Sequence, residues 1–251
     1  MDLYLKDKHI LIAGGSRGIG RACVDAFLEE GARVSVISRN ASILPDGVFH
    51  ILADLSDAVQ AREAVFKLID KQGNIDVLVN CAGSAKKTPP EEVMPEHYRV
   101  AMDAKFYTYI NVIEPVIKEM AKNGSGSIVN VVGLGGKVAI PTHLPGGSAN
   151  AALLLTTAGY ANVYIKKGIR INSVNPIATN TELLQSSLEA DAKMNNISID
   201  EALTAANNRT PLGRIIEPTE VADAVLFLSS DRASYINGNM LYLDGGMYPY
   251  I

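Results

Sequence analysis

Hydrophobic and polar positions along the chain follow two alternating periods. Short, nearly continuous apolar runs rich in β-branched residues span His9–Ala13, Arg33–Ser38, Val48–Ala53, Ile75–Asn80, Ser127–Val132, Ile169–Asn175 and Asn239–Leu243. Runs of this length and composition predict strands buried on both faces. Between them, near Arg17–Glu30, Ala58–Gln72, Pro95–Lys122, Ser148–Lys167 and Thr219–Ser229, apolar positions recur at the spacing of one helix face. Strands interleaved with amphipathic helices predict parallel strands joined by right-handed crossovers. The expected fold is α/β, a single doubly wound parallel sheet of about seven strands flanked by helices. Ligands of such sheets bind beyond the carboxyl ends of the strands, where strand order reverses, so the residues that follow the apolar runs carry the functional reading.

Composition narrows the picture. A chain of 251 residues with 47% apolar content suits one domain, residues 1–251, with a full core. The net charge of −4 gives no reason to expect a nucleic-acid partner. No apolar run approaches the roughly 18–20 residues that span a bilayer, so no membrane partner is expected. The first eight residues read as a lead-in to a strand rather than a signal peptide. Cys23 and Cys81 fall in apolar segments without metal-ligand spacing, which predicts buried free thiols, no metal, and a cytoplasmic location.

The first candidate chemistry follows the first strand. Ile10-Leu11-Ile12-Ala13 runs into Gly14-Gly15-Ser16-Arg17-Gly18-Ile19-Gly20 and then a helix. Glycines at 14, 18 and 20 allow a tight turn, close approach of backbone to a pyrophosphate, and close packing of helix on strand. With this G-x-x-x-G-x-G spacing the chain resembles the short-chain dehydrogenase/reductase family. Further matches run along nearly the whole sequence: Ala53-Asp54-Leu55-Ser56, Asn80-Cys81-Ala82-Gly83, Pro211-Leu212-Gly213-Arg214, Glu220-Val221-Ala222 and Leu243-Asp244-Gly245-Gly246. The resemblance implies a Rossmann-type domain. Its nucleotide would be held by the glycine loop, by Asp54 and Leu55 at the adenine, and by Asn80, Ala82 and Gly83 after the fourth strand.

The end of the second strand bears on cofactor choice. An acidic residue there would bind the ribose hydroxyls of NAD, whereas arginine accommodates a 2′-phosphate. Ile37-Ser38-Arg39-Asn40 holds no acid, and Arg17 lies in the glycine loop on the same side. Two guanidinium groups beside Ser38 favour NADP(H) over NAD(H).

At the catalytic end the resemblance defines a register in which the usual residues are missing. The positions of the family's Ser, Tyr and Lys fall on Gly133, Gly146 and Asn150, and that of its Asn falls on Lys105. The only Tyr with a Lys four residues on is Tyr4, before the first strand and at the wrong end of the sheet. Two glycines cannot donate a proton, and Asn150 can hydrogen-bond a ribose but carries no charge. Lys105 and His143, on the loop before Gly146, are the candidate replacements. Either can equally be an uninvolved side chain, the first solvated or ion-paired, the second an exposed loop histidine. Tyr107, Tyr109 and Tyr160 fall on helices and are expected in the core or a subunit contact. Asn175-Pro176-Ile177-Ala178-Thr179-Asn180-Thr181 matches the family's nicotinamide edge. There Pro176, Ile177, Thr179 and Thr181 would contact the cofactor, and Ile177 replaces a glycine. A substrate lid is expected around residues 182–212, with no readable substrate code.

Two functions remain open. One is an oxidoreductase-like enzyme acting on a small organic molecule with altered acid–base chemistry, or a non-redox enzyme assisted by the bound cofactor. The other is a catalytically silent NADP(H)-binding sensor or partner subunit. By resemblance the assembly is a homodimer or homotetramer.

Overall fold

The computed structural model describes residues 1–83 and 85–248. Seven strands form one wholly parallel sheet: β1 (His9–Ala13), β2 (Arg33–Ser38), β3 (Phe49–Leu52), β4 (Val77–Asn80), β5 (Gly126–Val131), β6 (Ile169–Pro176) and β7 (Met240–Leu243). Their order is β3-β2-β1-β4-β5-β6-β7, so the chain reverses its direction of travel between β1 and β4. The helices are α1 (Gly18–Glu29), α2 (Ala58–Gln72), α3 (Pro95–Ala101), α4 (Thr108–Asn123), α5 (Leu144–Tyr164), α6 (Leu184–Asn195), α7 (Ile199–Arg209) and α8 (Pro218–Ser229).

Two apolar layers cover the sheet. On one face Leu11, Ile37, Leu78 and Ile128 pack with residues of α2, α4 and α5. On the other, Ile10, Ile12, Val79 and Val129 pack with α1 and α8. Alternate residues of one strand thus serve opposite cores, which is why the strands read as unbroken apolar runs. No helix among the described residues is long and apolar enough to cross a membrane.

The expected elements differ from the structure in three instructive places. Pro95–Lys122 is a continuous helical path but not one regular α-helix. Residues Met102–Tyr107 form a π-helical turn between α3 and α4. This wider turn lies against the loop after β4, where a Cβ on Gly83 would collide with the carbonyl oxygen of Ala104. Second, α5 starts at Leu144, four residues before the expected Ser148, because Pro145 suits the first turn of a helix. Third, the segment without a readable pattern folds into α6 and α7 around Leu188, Ala192 and Ala202. A Ser198–Glu201 capping box starts α7.

Polar groups cross the apolar interior as a hydrogen-bonded chain that leaves Asn80 Oδ1 without a partner among the described residues. Asn80 Nδ2 donates to Asn130 Oδ1 at 2.9 Å, and Asn130 Nδ2 donates to Thr157 Oγ1 at 2.9 Å. This chain joins β4, β5 and α5. Tyr109 is buried and its hydroxyl donates to the Val131 carbonyl at 2.7 Å, whereas Tyr107 is exposed and Tyr160 packs at the core's edge. Truncating Asn130 to Ala strands buried partners on both sides. It should lower unfolding free energy by about 1–3 kcal/mol, read as a lower denaturant midpoint with an unchanged slope.

Candidate functional site

A cavity of 690 Å³ lies at the carboxyl ends of β1 and β4 where strand order reverses. Its size falls within the range of about 300–1,000 Å³ usual for small-molecule sites. Three glycines create it by letting backbone approach backbone. Gly14 has a positive φ of 88°, and a Cβ there would lie 2.6 Å from Ala82 N and Cα. A side chain on Gly20 would strike the Gly14 carbonyl, so α1 starts directly behind the loop. Gly83 plays the same part against the π turn. The positive end of α1 thereby opens onto the cavity floor, a site suited to an anion.

Most residues expected at the cofactor do line this cavity. Gly14, Ser16, Arg17, Gly18, Ile19 and Gly20 form one wall. Ser38, Arg39, Asp54 and Leu55 form the far end, and Ala82, Gly83, Pro176, Ile177, Thr179 and Thr181 the opposite side. Asp54 accepts hydrogen bonds from Ser56 N and Oγ, which hold its carboxyl below the usual range. Two expected cofactor residues do not reach the wall. Asn80 is fully buried in the chain to Asn130. Asn150 is also buried, and because Gly133 offers no side chain, its Nδ2 turns back to donate to the Gly133 carbonyl at 3.1 Å.

The cysteines also depart from expectation. Both are free, but only Cys23 is buried; Cys81 is half-buried and lines the cavity. Hydrogen bonding with Cys81 and burial push the Cys23 thiol up, which keeps it neutral.

The residues present fit a phosphorylated dinucleotide. At the far end Arg17 and Arg39 are exposed to the cavity, and neither forms an ion pair among the described residues. Beside them the buried Ser42 Oγ, also in the cavity lining, has no hydrogen-bond partner. A 2′-phosphate would satisfy all three groups.

At the inner end, Lys105, Gly133 and His143 converge on the cavity. Lys105 stands on the π turn, whose geometry is held by the Thr108 hydroxyl donating to the Lys105 carbonyl at 2.8 Å. Burial lowers its ammonium pKa from an ordinary 10.5 to about 8, and no carboxylate pairs with it among the described residues. His143 ends a short turn, Pro141–His143, directly before α5. Its ring fills the space over Gly146: a Cβ there would collide with Cε1 and lie 2.5 Å from Nε2. Gly146 itself is buried and does not line the cavity. Desolvation first, then the charges of Lys105 and Lys87, lowers the His143 pKa from 6.5 to about 4. The imidazole is therefore neutral at physiological pH. Its Nδ1 is buried without a hydrogen-bond partner among the described residues.

A polar cluster behind His143 has no counterpart in the sequence reading. Asp191 of α6 receives the Lys87 ammonium at 3.2 Å on one carboxylate oxygen and the Thr142 hydroxyl at 2.8 Å on the other. Thr88 N donates to the Thr142 carbonyl at 2.8 Å. Three segments distant in sequence are thus tied together next to the imidazole. The adjacent Lys86 and Lys87 could have been singled out as charges, but no local pattern points to Asp191. Among the described residues there is no group of acidic, His and Cys side chains able to hold a metal.

Comparison with known proteins now bears on this arrangement. A family model described as enoyl-(acyl carrier protein) reductase matches residues 13–248. The chain is 31% identical to 3-oxoacyl-(acyl-carrier-protein) reductase FabG of Thermotoga maritima, covering 98% of this chain and 99% of the relative. It is 34% identical to the A-factor type gamma-butyrolactone 1'-reductase of Streptomyces virginiae, with 96% of each chain covered. Among solved structures, gluconate 5-dehydrogenase from Burkholderia cenocepacia, in complex with NADP and tartrate, superposes with a TM-score of 0.89 at 28% identity. That match covers 100% of this chain and 98% of the other.

Two measurements test the inner end. Gly146→Ala should displace the His143 ring and lower the melting temperature, whereas His143→Gly should relieve that loss when combined with it. A double-mutant cycle is expected to show coupling of about 1 kcal/mol or more, and additive effects would refute the contact. Lys105→Met should raise the melting temperature at pH 7, because it removes a buried unpaired cation. Between pH 8 and 10.5 the unfolded chain holds the Lys105 proton more tightly than the folded one, so wild-type stability rises with pH there. The advantage of the Met variant should therefore shrink across that window in thermal melts.

Proposed function

The chain belongs to the short-chain dehydrogenase/reductase family of oxidoreductases, and from that premise we propose that it binds NADP(H) and reduces or oxidises a small organic molecule with His143 and Lys105 in place of the usual Ser, Tyr, Lys and Asn. One observation carries the reading: the His143 imidazole fills the space over Gly146 while the Lys105 ammonium faces the same cavity without a counter-ion among the described residues. Residues 182–212, with α6 and α7, act as the substrate lid of a single domain.

Bound NADPH would supply hydride. The glycine loop and the start of α1 would hold its pyrophosphate, with Arg17, Arg39 and Ser42 at the 2′-phosphate. Thr179 and Thr181, on the loop after β6, would border the nicotinamide, and Ile177 narrows that edge. With a pKa of about 4, His143 is not a cationic acid at neutral pH; it serves as a neutral hydrogen-bond donor to the substrate oxygen. Lys105, with a pKa of about 8, is mostly protonated at pH 7 and close enough to neutrality to give up its proton. It stabilises charge developing on that oxygen and can protonate it. Gly133 leaves room above the site, so rate depends on positioning and on a single fixed charge.

The exposed apolar residues Leu155 and Val163 on α5 support self-association into a homodimer or homotetramer. The expected sedimentation coefficient is that of a dimer or tetramer, and Leu155→Glu should shift it toward the monomer.

Fluorescence titration should show NADPH binding at least tenfold tighter than NADH; binding of neither would refute the nucleotide reading. In the presence of carbonyl compounds, NADPH oxidation is expected to fall about a hundredfold or more in both His143→Ala and Lys105→Met. Tight NADPH binding without oxidation of any carbonyl would instead identify a silent binding protein.

A further inference from the structure

Two lysine charges act on His143, Lys105 in the cavity lining and Lys87 behind it, but only one of them is neutralised. Lys87 is paired with Asp191, and that pair is largely shielded from solvent. Lys105 forms no ion pair among the described residues. The carboxylates that line the same cavity are engaged or placed elsewhere. Asp54 is held by Ser56 at the adenine end, Glu182 lies by Gly18 in the glycine loop, and Asp103 makes no bridge to the lysine. His143 is neutral and cannot balance charge. A cation set into a cavity wall is costly unless something compensates it. The described residues give Lys105 no ion-pair partner, yet the backbone around it is firmly fixed by Thr108 and by the close approach of Gly83 to Ala104.

Resting on the nucleotide-dependent reading above, we propose that the missing counter-ion is the substrate's own carboxylate, and that the site takes a short oxo acid whose carboxylate and carbonyl oxygen both meet Lys105. An ammonium group has three donors and can serve both oxygens of such a molecule. The neutral Nε2 edge of His143, next to Gly146, supplies a further polar contact without adding charge. Gly133 leaves the space that a planar oxo acid occupies. The other positive groups of the cavity, Arg17 and Arg39, lie at the far end, where the 2′-phosphate would occupy them.

Oxamate and oxamide test this directly, because they share size and planarity, differ in charge, and neither is reduced. Calorimetric titration of the NADPH-loaded protein should show oxamate binding at least tenfold tighter than oxamide. Lys105→Met should abolish that preference and Lys105→Arg should retain part of it, with NADPH affinity unchanged in both. In the wild-type protein the oxamate preference should decline above pH 8 as the ammonium is lost, whereas oxamide binding should stay level. The ionisable groups described near Lys105 in the cavity lining are His143, already neutral in that range, Cys81, Tyr109 and Asp103, and Cys81→Ala should leave the decline in place. Equal binding of the two compounds would overturn the proposal. So would a preference that survives Lys105→Met or that is removed by Arg17→Ala and Arg39→Ala instead. Failure of NADPH to bind, scored separately by fluorescence, would refute the nucleotide reading and leave the oxamate comparison to be read on the free protein.

Discussion

Backbone packed on backbone at the switch between β1 and β4 is the constraint from which the rest of the site follows. Gly14 rests on Ala82, α1 begins against Gly14 because position 20 has no side chain, and Gly83 presses on the carbonyl of Ala104. Each contact excludes a Cβ. Together they draw the loop after β1, the loop after β4 and the π turn to one center. The cavity is the space left where these three segments cannot approach further, and the anion-favouring end of α1 opens into it. A single methyl at Gly20 or Gly83 would push apart segments whose separation defines the site.

The inner end has no side chain at Gly133 or Gly146, and proteins seldom leave the resulting volume empty. Two neighbours respond in different ways. The Asn150 amide folds back onto the strand end and closes part of the gap. The His143 ring swings over Gly146 and closes another part, at the cost of a buried ring nitrogen without a partner. Lys105 adds a charge that no carboxylate among the described residues pairs with. The His143 Nδ1 and the Lys105 ammonium, both at the inner end of the cavity, are a stability cost borne where a ligand can repay it.

Much of this was legible in the sequence. Apolar runs marked all seven strands to within a residue or two, because the central strands are buried on both faces and keep most of their positions apolar. The glycine loop was readable for the same reason that it works: only glycine permits its contacts. The π turn was not legible, since its apolar spacing over a few residues resembles that of an α-helix and its cause lies in a loop about twenty residues away. That Asn80 and Asn150 are buried behind the cavity wall was not legible, because a buried amide and a ligand-facing amide look alike in sequence. Their partners, Asn130 and the Gly133 carbonyl, become neighbours only through the sheet and α5. The cluster at Asp191 joins three distant segments and left no local pattern.

That cluster links α6 to the candidate site. Asp191 holds α6 to Thr142, the residue immediately before His143, and to Lys87 on the loop after β4. Lifting α6 would break both contacts, yet the turn that carries the imidazole would stay tied to the loop after β4 by the Thr88 amide on the Thr142 carbonyl, so ring placement does not rest on α6 alone.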